Sequence, residues 1–218
     1  MKKRVLFASI ILIFLSTYTS KINNSLDRNI KIEKITIENN KILDDQTIKK
    51  KISFLYEENL FLLNNKKIIL KLQELDLIDS IEIKKIYPNQ IKVKIFEKQI
   101  LAIIQNKKEK NYYTNKGLIN YKKLNGFEDL PVVFGDNKSF EIFYNDLEKI
   151  DFPISDIKKF YLFESKRWDI ITLENQIIKL PIKNYDLSLK NFIKLKNQTN
   201  FRKYKTFDYR IKDQLILK

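Results

Sequence analysis

The sequence predicts an α+β fold in which an N-terminal membrane helix precedes a small domain with the order strand, helix, helix, strand, strand. A larger, mixed β-rich domain with an antiparallel sheet and flanking helices follows it. Three observations predict it: a basic start followed by an apolar run, several short segments in which Ile alternates with polar residues, and intervening segments with apolar residues at helix spacing. A length of 218 residues allows one large domain or two small ones. A hydrophobic content of 44% is enough for a packed core.

The composition excludes most classes of catalytic site. The chain has no Cys and no His, so it can form neither disulfides, nor Cys/His zinc sites, nor catalytic sites that depend on a Cys nucleophile or a His base. It has only three Gly, too widely spaced for a phosphate-binding or dinucleotide-binding loop. We therefore expect a protein that is not an enzyme and that needs no cofactor, metal or small-molecule substrate.

The net charge of +15 raises the question of a nucleic-acid partner. Only five of the 42 basic residues are Arg, the residue favoured for bidentate contacts to phosphate and guanine. The Lys residues are spread along the whole chain and form no dense arm. The chain is also rich in Ile and Asn, which, like Lys, have AT-rich codons. We therefore expect no nucleic-acid partner.

The N-terminus predicts export or membrane insertion. Residues 1–4 are basic and would stay in the cytoplasm, residues 5–22 form the candidate transmembrane anchor, and residues 23–29 form a polar linker. A helix from Val5 to Tyr18 would cover about 21 Å, whereas a bilayer core is about 30 Å thick. Two alternatives stay open: a signal peptide, although no A-x-A cleavage pattern follows, or an uncleaved anchor reaching Ile22. Either alternative places the rest of the chain outside the cytoplasm.

The next seventy residues predict one compact unit, over 30–98. Its elements follow the order strand, helix, helix, strand, strand. The alternation of the first strand slips once, at Glu33–Lys34. The elements are a strand at Ile30–Glu38, a helix capped by Asp44 or Asp45, a buried connector at Leu60–Leu63, a helix capped by Asn64 or Asn65, and strands at Ser80–Ile86 and Ile91–Ile95 joined by a turn at Tyr87–Gln90.

The remainder, residues 99–218, predicts a second and larger domain. It contains short strands with turn signals between them and two helices. The elements are a hairpin over 111–121 that turns at 115–117, a short strand over 130–135, a helix over 139–150, strands over 167–173 and 177–181, a helix over 187–195, and a final strand pair over 207–210 and 214–218.

The order of these segments and several of their short sequence motifs resemble those of a known family. The first unit is similar to a POTRA domain, with its first strand and turn at 35–43 and its closing hairpin at 86–98. In the second unit, four short motifs follow in register: Leu130-Pro131-Val132 with Gly135, Arg167-Trp168-Asp169, Leu180-Pro181, and Asp208 with Arg210. Together they resemble the bacterial cell division family FtsQ, called DivIB in other bacteria, over about residues 30–218.

The resemblance implies a divisome assembly protein. Members are single-pass proteins of the cell inner membrane, with a cytoplasmic N-terminus and periplasmic domains at the division septum. They bind other division proteins such as FtsB and FtsL, and they help control septal peptidoglycan synthesis. A cytoplasmic tail of about four residues is shorter than the family usually has. The alternative is a POTRA-bearing periplasmic chaperone or transport component for outer-membrane or secreted proteins, a class that usually carries several POTRA repeats.

The C-terminal strand is the first candidate partner site. A strand over Gln214–Lys218 at the edge of a sheet would expose unpaired backbone groups, which invite a strand from another chain. The resemblance implies that FtsB binds in this way at Ile211, Gln214, Leu215 and Leu217, with Arg167 as a charge contact. The alternative is an ordinary edge strand that faces water.

Trp168 is either a core aromatic or part of a partner surface. If it is core, the alternation of the strand places Arg167 on the opposite face, exposed to an acidic partner residue. A second candidate site lies in the POTRA part, where the resemblance implies that the region of Ile83 and Lys85 contacts other division proteins. The alternative is that Ile83 is core and Lys85 is solvated.

Overall fold

The computed structural model describes residues 2–17, 31–106 and 109–218. The chain divides into two compact units. The first domain runs to Glu74 and includes Ser80–Ile95; the second domain comprises Leu75–Asp79 and Phe96–Lys218. The α+β class predicted from the sequence is confirmed, and each domain is described separately below.

The N-terminal apolar run forms helix α1, Lys2–Thr17. Sixteen residues at about 1.5 Å each give a helix of about 24 Å. None of the described helices combines the length and the apolar character that a membrane crossing requires. The predicted continuation of the anchor through residues 18–22 and the predicted linker at 23–29 lie outside the described residues.

The first domain is a three-stranded sheet covered by two helices. The sheet has the order β1-β3-β2, and β1 runs parallel to β3. Ile48, Ile68 and Leu72 on the helices are fully buried, as are Ile91 and Val93 on β3. The elements are β1 Lys34–Glu38, α2 Asp45–Lys51, a 3-10 turn Ser53–Glu57, α3 Asn65–Gln73, β2 Ile78–Ile86 and β3 Gln90–Glu97.

The structure resolves both helix caps of this domain. Asp44 caps α2, because its carboxylate accepts from the Thr47 N–H at 2.8 Å. Asn64 caps α3, because its side-chain oxygen accepts from the Lys66 N–H at 2.9 Å. Both residues have the extended backbone that an N-cap needs, whereas Asp45 is already inside its helix.

Two predictions for this domain are wrong in part. The strand predicted over Ile30–Glu38 begins only at Lys34, because the Glu33 and Lys34 N–H groups both donate to the Asn89 carbonyl and so interrupt the ladder where the alternation slips. The connector Leu60–Leu63 is buried only at its two ends. Leu62 is 84% exposed and Phe61 is 51% exposed, because the chain turns there and directs both side chains outward.

The second domain is built on one nine-stranded sheet. The strand order is β12-β11-β10-β9-β8-β7-β4-β5-β6. The elements are β4 Ile100–Gln105, β5 Lys110–Thr114, β6 Gly117–Asn120, β7 Val132–Phe134, α4 Asn137–Lys149, β8 Ile157–Leu162, β9 Trp168–Thr172, β10 Ile177–Lys179, α5 Tyr185–Lys196, β11 Thr206–Asp208 and β12 Ile216–Leu217, with 3-10 turns at Ile154–Asp156 and Thr199–Phe201.

The sheet is mixed, which corrects the expectation of an antiparallel sheet. Strands β7 and β8 are parallel, as are β10 and β11, and β4 and β7. The first two pairs are joined by α4 and α5, and a helical crossover is what brings the chain back parallel to its previous strand. The other pairs are antiparallel, and those of β5 with β6, β9 with β10 and β11 with β12 were predicted from the sequence. Strands β4 and β8, which pair antiparallel with β5 and β9, were not predicted.

Both helices pack on one face of this sheet and enclose an aromatic core. Phe143 of α4 stacks on Trp168 of β9 with ring centroids 4.9 Å apart. Phe192 of α5 meets Phe207 of β11 edge to face at 4.9 Å. Trp168 is only 5% exposed, so of its two interpretations the core aromatic is the one that the structure shows.

Candidate partner-binding edge

Strand β12 lies at one end of the nine-stranded sheet. It pairs antiparallel with β11, with Leu217 opposite Phe207 and Ile216 opposite Asp208. Among the described residues, no further strand pairs with its outer side. The strand predicted over Gln214–Lys218 is shorter, because Gln214 closes a turn instead, where its N–H donates to the Ile211 carbonyl at 3.2 Å.

The backbone of Leu217 faces away from β11. Lys218 and Thr206 exchange both of their backbone hydrogen bonds, at 3.1 and 2.9 Å. In an antiparallel ladder, residues alternate between bonding to one neighbour and pointing away from it. The N–H and C=O of Leu217 are therefore directed outward, while its side chain packs against the domain core. The edge thus offers one backbone donor and one backbone acceptor, while the Leu217 side chain stays packed and holds β12 in place.

A groove of about 540 Å³ lies beside this edge, between α5 and the segment 209–215. Three of the predicted partner residues, Ile211, Gln214 and Leu215, line it together, whereas Leu217 is not part of its wall. Its apolar wall also includes Pro181 and Leu187. Ile211 and Leu187 are 51% and 65% exposed, so the groove presents apolar surface to solvent next to the open edge.

A row of charged residues crosses the opposite face of the sheet from the helices. Lys179 on β10 is in register with Asp169 on β9 and with Asp208 on β11. Arg167 and Arg210 flank the row: Arg167 Nε lies 3.1 Å from the Asp169 carboxylate, and Arg210 donates to Asp208 at 2.8 and 2.6 Å. We name these five residues the charged row.

Sequence reasoning selected only Arg167 from the charged row. A signal for the others was present, because Arg167-Trp168-Asp169 and Asp208-Tyr209-Arg210 each place an acid and a base two residues apart. On a strand, that spacing puts both side chains on one face. The pairing of β9, β10 and β11 then brings the two motifs together, which the sequence does not reveal.

Burial and ion pairing act in opposite directions on the two acids of the row. Burial raises the pKa of Asp169 above its usual range, against the opposing effect of Arg167. The pKa of Asp208 is lowered, chiefly because the Arg210 side chain donates hydrogen bonds to it. Asp169 is only 6% exposed, so its charge depends on the neighbouring bases.

The expectation that Arg167 is exposed is wrong, whereas its contact with an acidic residue of a partner stays a prediction. Its side chain is 22% exposed, it pairs with Asp169, and its guanidinium lies 4.2 Å from the centre of the Phe163 ring. The cause is the alternation itself, which puts Asp169 on the same face as Arg167 and within reach. A guanidinium has five N–H donors. The bonds to Asp169 involve only Nε and Nη2, so Nη1 is not engaged by that pair.

The two predicted residues of the first domain lie on β2, an edge strand of its sheet. Ile83 is half-buried. The Lys85 ammonium donates to the Leu63 carbonyl at 3.0 Å and is also half-buried, so it is not a freely solvated charge.

Comparison with known proteins agrees with this architecture. Residues 30–98 match the family model of the POTRA domain, FtsQ-type, and residues 102–210 match that of the cell division protein FtsQ/DivIB, C-terminal. The chain is 27% identical over 192 residues to the cell division protein FtsQ of Rickettsia bellii, covering 86% of this chain and 72% of the relative. The corresponding proteins of Rickettsia typhi and Rickettsia prowazekii are each 26% identical, with the same coverage.

A POTRA domain of this type followed by this mixed β-domain defines a class of cell division proteins with two folded domains. The chain belongs to the FtsQ/DivIB family.

Proposed function

We propose that this chain is a scaffold of the divisome that binds FtsB and FtsL and helps control septal peptidoglycan synthesis, without being an enzyme. It is held in the cell inner membrane at the division septum as a single-pass protein, with its N-terminus in the cytoplasm and residues 30–98 and 99–218 folded in the periplasm. Membership of the FtsQ/DivIB family supports this proposal.

The observation that carries the binding mechanism is the outward backbone of Leu217. A strand of FtsB adds to β12 by donating to the Leu217 carbonyl and accepting from its N–H. Apolar side chains of the same segment enter the groove against Ile211 and Leu215, and Gln214 contributes polar contacts at its rim. An acidic residue of the partner reaches the guanidinium of Arg167 from the side that does not face Asp169.

Residues 5–22 form the membrane anchor in this proposal. As a helix, eighteen residues would span about 27 Å, close to the roughly 30 Å of a bilayer core, and Lys2, Lys3 and Lys21 would then extend to the two interfaces. A tag placed before Met1 tests it: an uncleaved anchor keeps the tag on the protein in carbonate-washed membranes, whereas removal of the tag with the protein released identifies a signal peptide.

In the first domain, the proposal assigns Ile83 and Lys85 to contacts with other division proteins. The support is the position of β2 at the edge of its sheet. Replacing Lys85 by Met removes the charge and keeps the length of the side chain, so recruitment of upstream partners should weaken while FtsB binding is unchanged.

The decisive experiment separates the backbone of Leu217 from its side chain. Leu217→Pro removes the outward N–H, whereas Leu217→Ala shortens the side chain and keeps the N–H. Both variants are co-purified with the periplasmic parts of FtsB and FtsL, with circular dichroism as the check on folding. We expect Leu217→Pro to abolish the complex and Leu217→Ala to retain it. Equal binding by the two variants would rule out strand addition at this edge.

A further inference from the structure

Three large apolar side chains are exposed together at one end of the first domain. Leu62 is 84% exposed, Tyr87 57% and Phe61 51%. Phe61 and Tyr87 stack, with ring centroids 4.8 Å apart, although they belong to different turns. We call these three residues the apolar tip. Its exposed surface is unusual because a turn normally carries polar residues.

The apolar tip is held in a defined position. The Asn59 side chain accepts from the Phe61 N–H at 2.9 Å and fixes the turn. On either side, Leu60 is 0% and Leu63 7% exposed, so both anchor the turn in the core. The Lys85 ammonium binds the Leu63 carbonyl from the neighbouring strand. A side chain that projects from a turn held in this way can leave water for an apolar environment without unfolding the residues around it.

The chain enters the first domain beside the apolar tip. The Ile32 N–H donates to the Glu58 carbonyl at 3.3 Å, and the Glu33 N–H donates to the Asn89 carbonyl at 2.8 Å. Glu58 lies three residues before Phe61, and Asn89 lies two residues after Tyr87. The N-terminal segment therefore arrives at the end of the domain where both turns of the tip are found.

We propose that the apolar tip docks on the surface of the lipid bilayer in which the N-terminal anchor is embedded. This rests on the anchoring under the proposed function. Residues 18–30 separate α1 from the first described residue of the domain. Thirteen residues reach at most about 45 Å however they are arranged, so the end of the domain that carries the tip cannot lie farther than that from the end of α1.

The chemistry of the apolar tip suits a bilayer better than a protein groove. Leu62 is 84% exposed and therefore does not line a concave site of this domain, whereas an apolar side chain at a membrane surface is buried about 5–10 Å into the boundary between headgroups and acyl chains. Tyr is among the residues enriched at that interface. Two of the nearby Lys residues are held in ion pairs, Lys31 with Glu57 and Lys67 with Glu58, so we expect docking to depend mainly on apolar burial rather than on anionic lipid.

A unique label tests this, because the chain has no native Cys. The full chain carrying Leu62→Cys with an environment-sensitive fluorophore is reconstituted in phosphatidylcholine vesicles that contain a lipid-borne quencher. We expect a blue shift and loss of emission by quenching. The matched control is Gln46→Cys, an exposed residue of α2 at the far end of β1, about 16 Å or more away, whose emission should stay water-like.

A second variant asks whether Leu62 itself drives the contact. With the label at Asn65→Cys, replacing Leu62 by Glu should weaken docking by roughly tenfold or more and reduce the quenching, because at least about 1.5 kcal/mol of apolar burial is lost. Folding should be unchanged, since the side chain makes little contact with the domain.

The outcomes distinguish this inference from the proposed anchoring. If the chain floats with the vesicles and the label at position 62 stays water-like, docking is wrong and the anchor stands. If the chain does not float with the vesicles, the anchor is wrong and the docking that depends on it falls too. If the label shifts only when the periplasmic parts of FtsB and FtsL are added, the apolar tip is a protein contact, which also overturns the lipid assignment.

Discussion

Replacing Arg167 by Gln tests whether this residue supports the fold as well as a partner. The substitution keeps much of the side-chain volume but removes the charge beside Asp169, whose carboxylate lies 3.1 Å from Arg167 Nε. Asp169 is 6% exposed and already has a raised pKa because of burial. The variant therefore leaves a buried carboxylate with less compensation.

The magnitude follows from the surroundings of Asp169. Removing one partner of a fully buried ion pair costs about 3–5 kcal/mol. Here Arg167 keeps 22% of its side chain exposed, and Lys179 and Arg210 still lower the pKa of Asp169. We expect a loss of about 2 kcal/mol in the free energy of unfolding. For a domain of this size that is a fall of roughly 6–10 °C in Tm.

The assay is thermal unfolding followed by fluorescence of Trp168, the only Trp of the chain, which lies between the two residues concerned. Asp169→Asn in the Arg167→Gln background should restore about half of the loss, because it removes the uncompensated charge. A double variant less stable than Arg167→Gln alone would refute the reasoning, as would a single variant within about 0.5 kcal/mol of the parent.

The same variant should show a defined dependence on pH. A carboxyl whose pKa is higher in the folded than in the unfolded state costs stability as pH rises, starting from its usual pKa near 3.8. Loss of Arg167 raises the folded pKa further, so the difference between variant and parent should be full at pH 7 and shrink toward pH 4. The lowered pKa of Asp208 makes a contribution to stability that changes with pH in the opposite direction. Because Asp208 is present in both proteins, its contribution cancels when the variant is compared with the parent.

Two further predictions concern the segment that links β7 to α4. Gly135→Ala should destabilise the second domain by about 1–3 kcal/mol, because the added methyl group would lie 2.9 Å from Leu162 Cβ and 3.2 Å from the Trp168 ring; chemical denaturation that shows no loss would contradict this close packing. Asp136→Ala should cost about 1 kcal/mol in the same measurement, since the Asp136 carboxylate accepts from the Ser139 N–H at 2.9 Å, whereas Asp136→Ser should retain most of this cap.

The separation of structural and binding roles matters for the charged row. A variant of Arg167 that loses FtsB binding is informative only if its second domain remains folded at the temperature of the binding assay. The pair Arg167→Gln and Arg167→Gln with Asp169→Asn provides this control, because both lack the guanidinium but differ in stability. Equal loss of binding in the two variants would assign the effect to the missing contact.

Local signals were sufficient for most elements of the fold. Helix caps, turn residues and alternation act over a few residues, so the sequence predicted the caps of α2 and α3 to within one position and the hairpin of β5 and β6 with its turn at Asn115–Lys116. The parallel pairs in the second sheet were missed because strand direction depends on how α4 and α5 carry the chain back, which no short window contains.

The apolar tip and the charged row show two opposite errors of prediction from local sequence: side chains predicted to be buried are exposed, and a side chain predicted to be exposed is largely covered. Leu60–Leu63 has the composition of a buried segment, yet only its ends are buried, because the chain turns there and directs Phe61 and Leu62 outward. Arg167 reads as a free surface charge, yet the alternation that sets it opposite Trp168 also sets it beside Asp169. Whether a side chain is buried depends on residues that pack against it from distant parts of the chain, and a short stretch of sequence does not identify those residues.

The sequence by itself determined the family, the two-domain α+β order, the absence of Cys and His chemistry, and the C-terminal strand as the candidate binding edge. These follow from residue types and from spacings of a few positions. The tertiary structure decided that the outward backbone group is that of Leu217, that Ile211, Gln214 and Leu215 share one groove, and that two motifs forty residues apart form one charged row. Each of these depends on strand register and packing between distant segments, which are set by the free energy of the whole fold rather than by any local pattern.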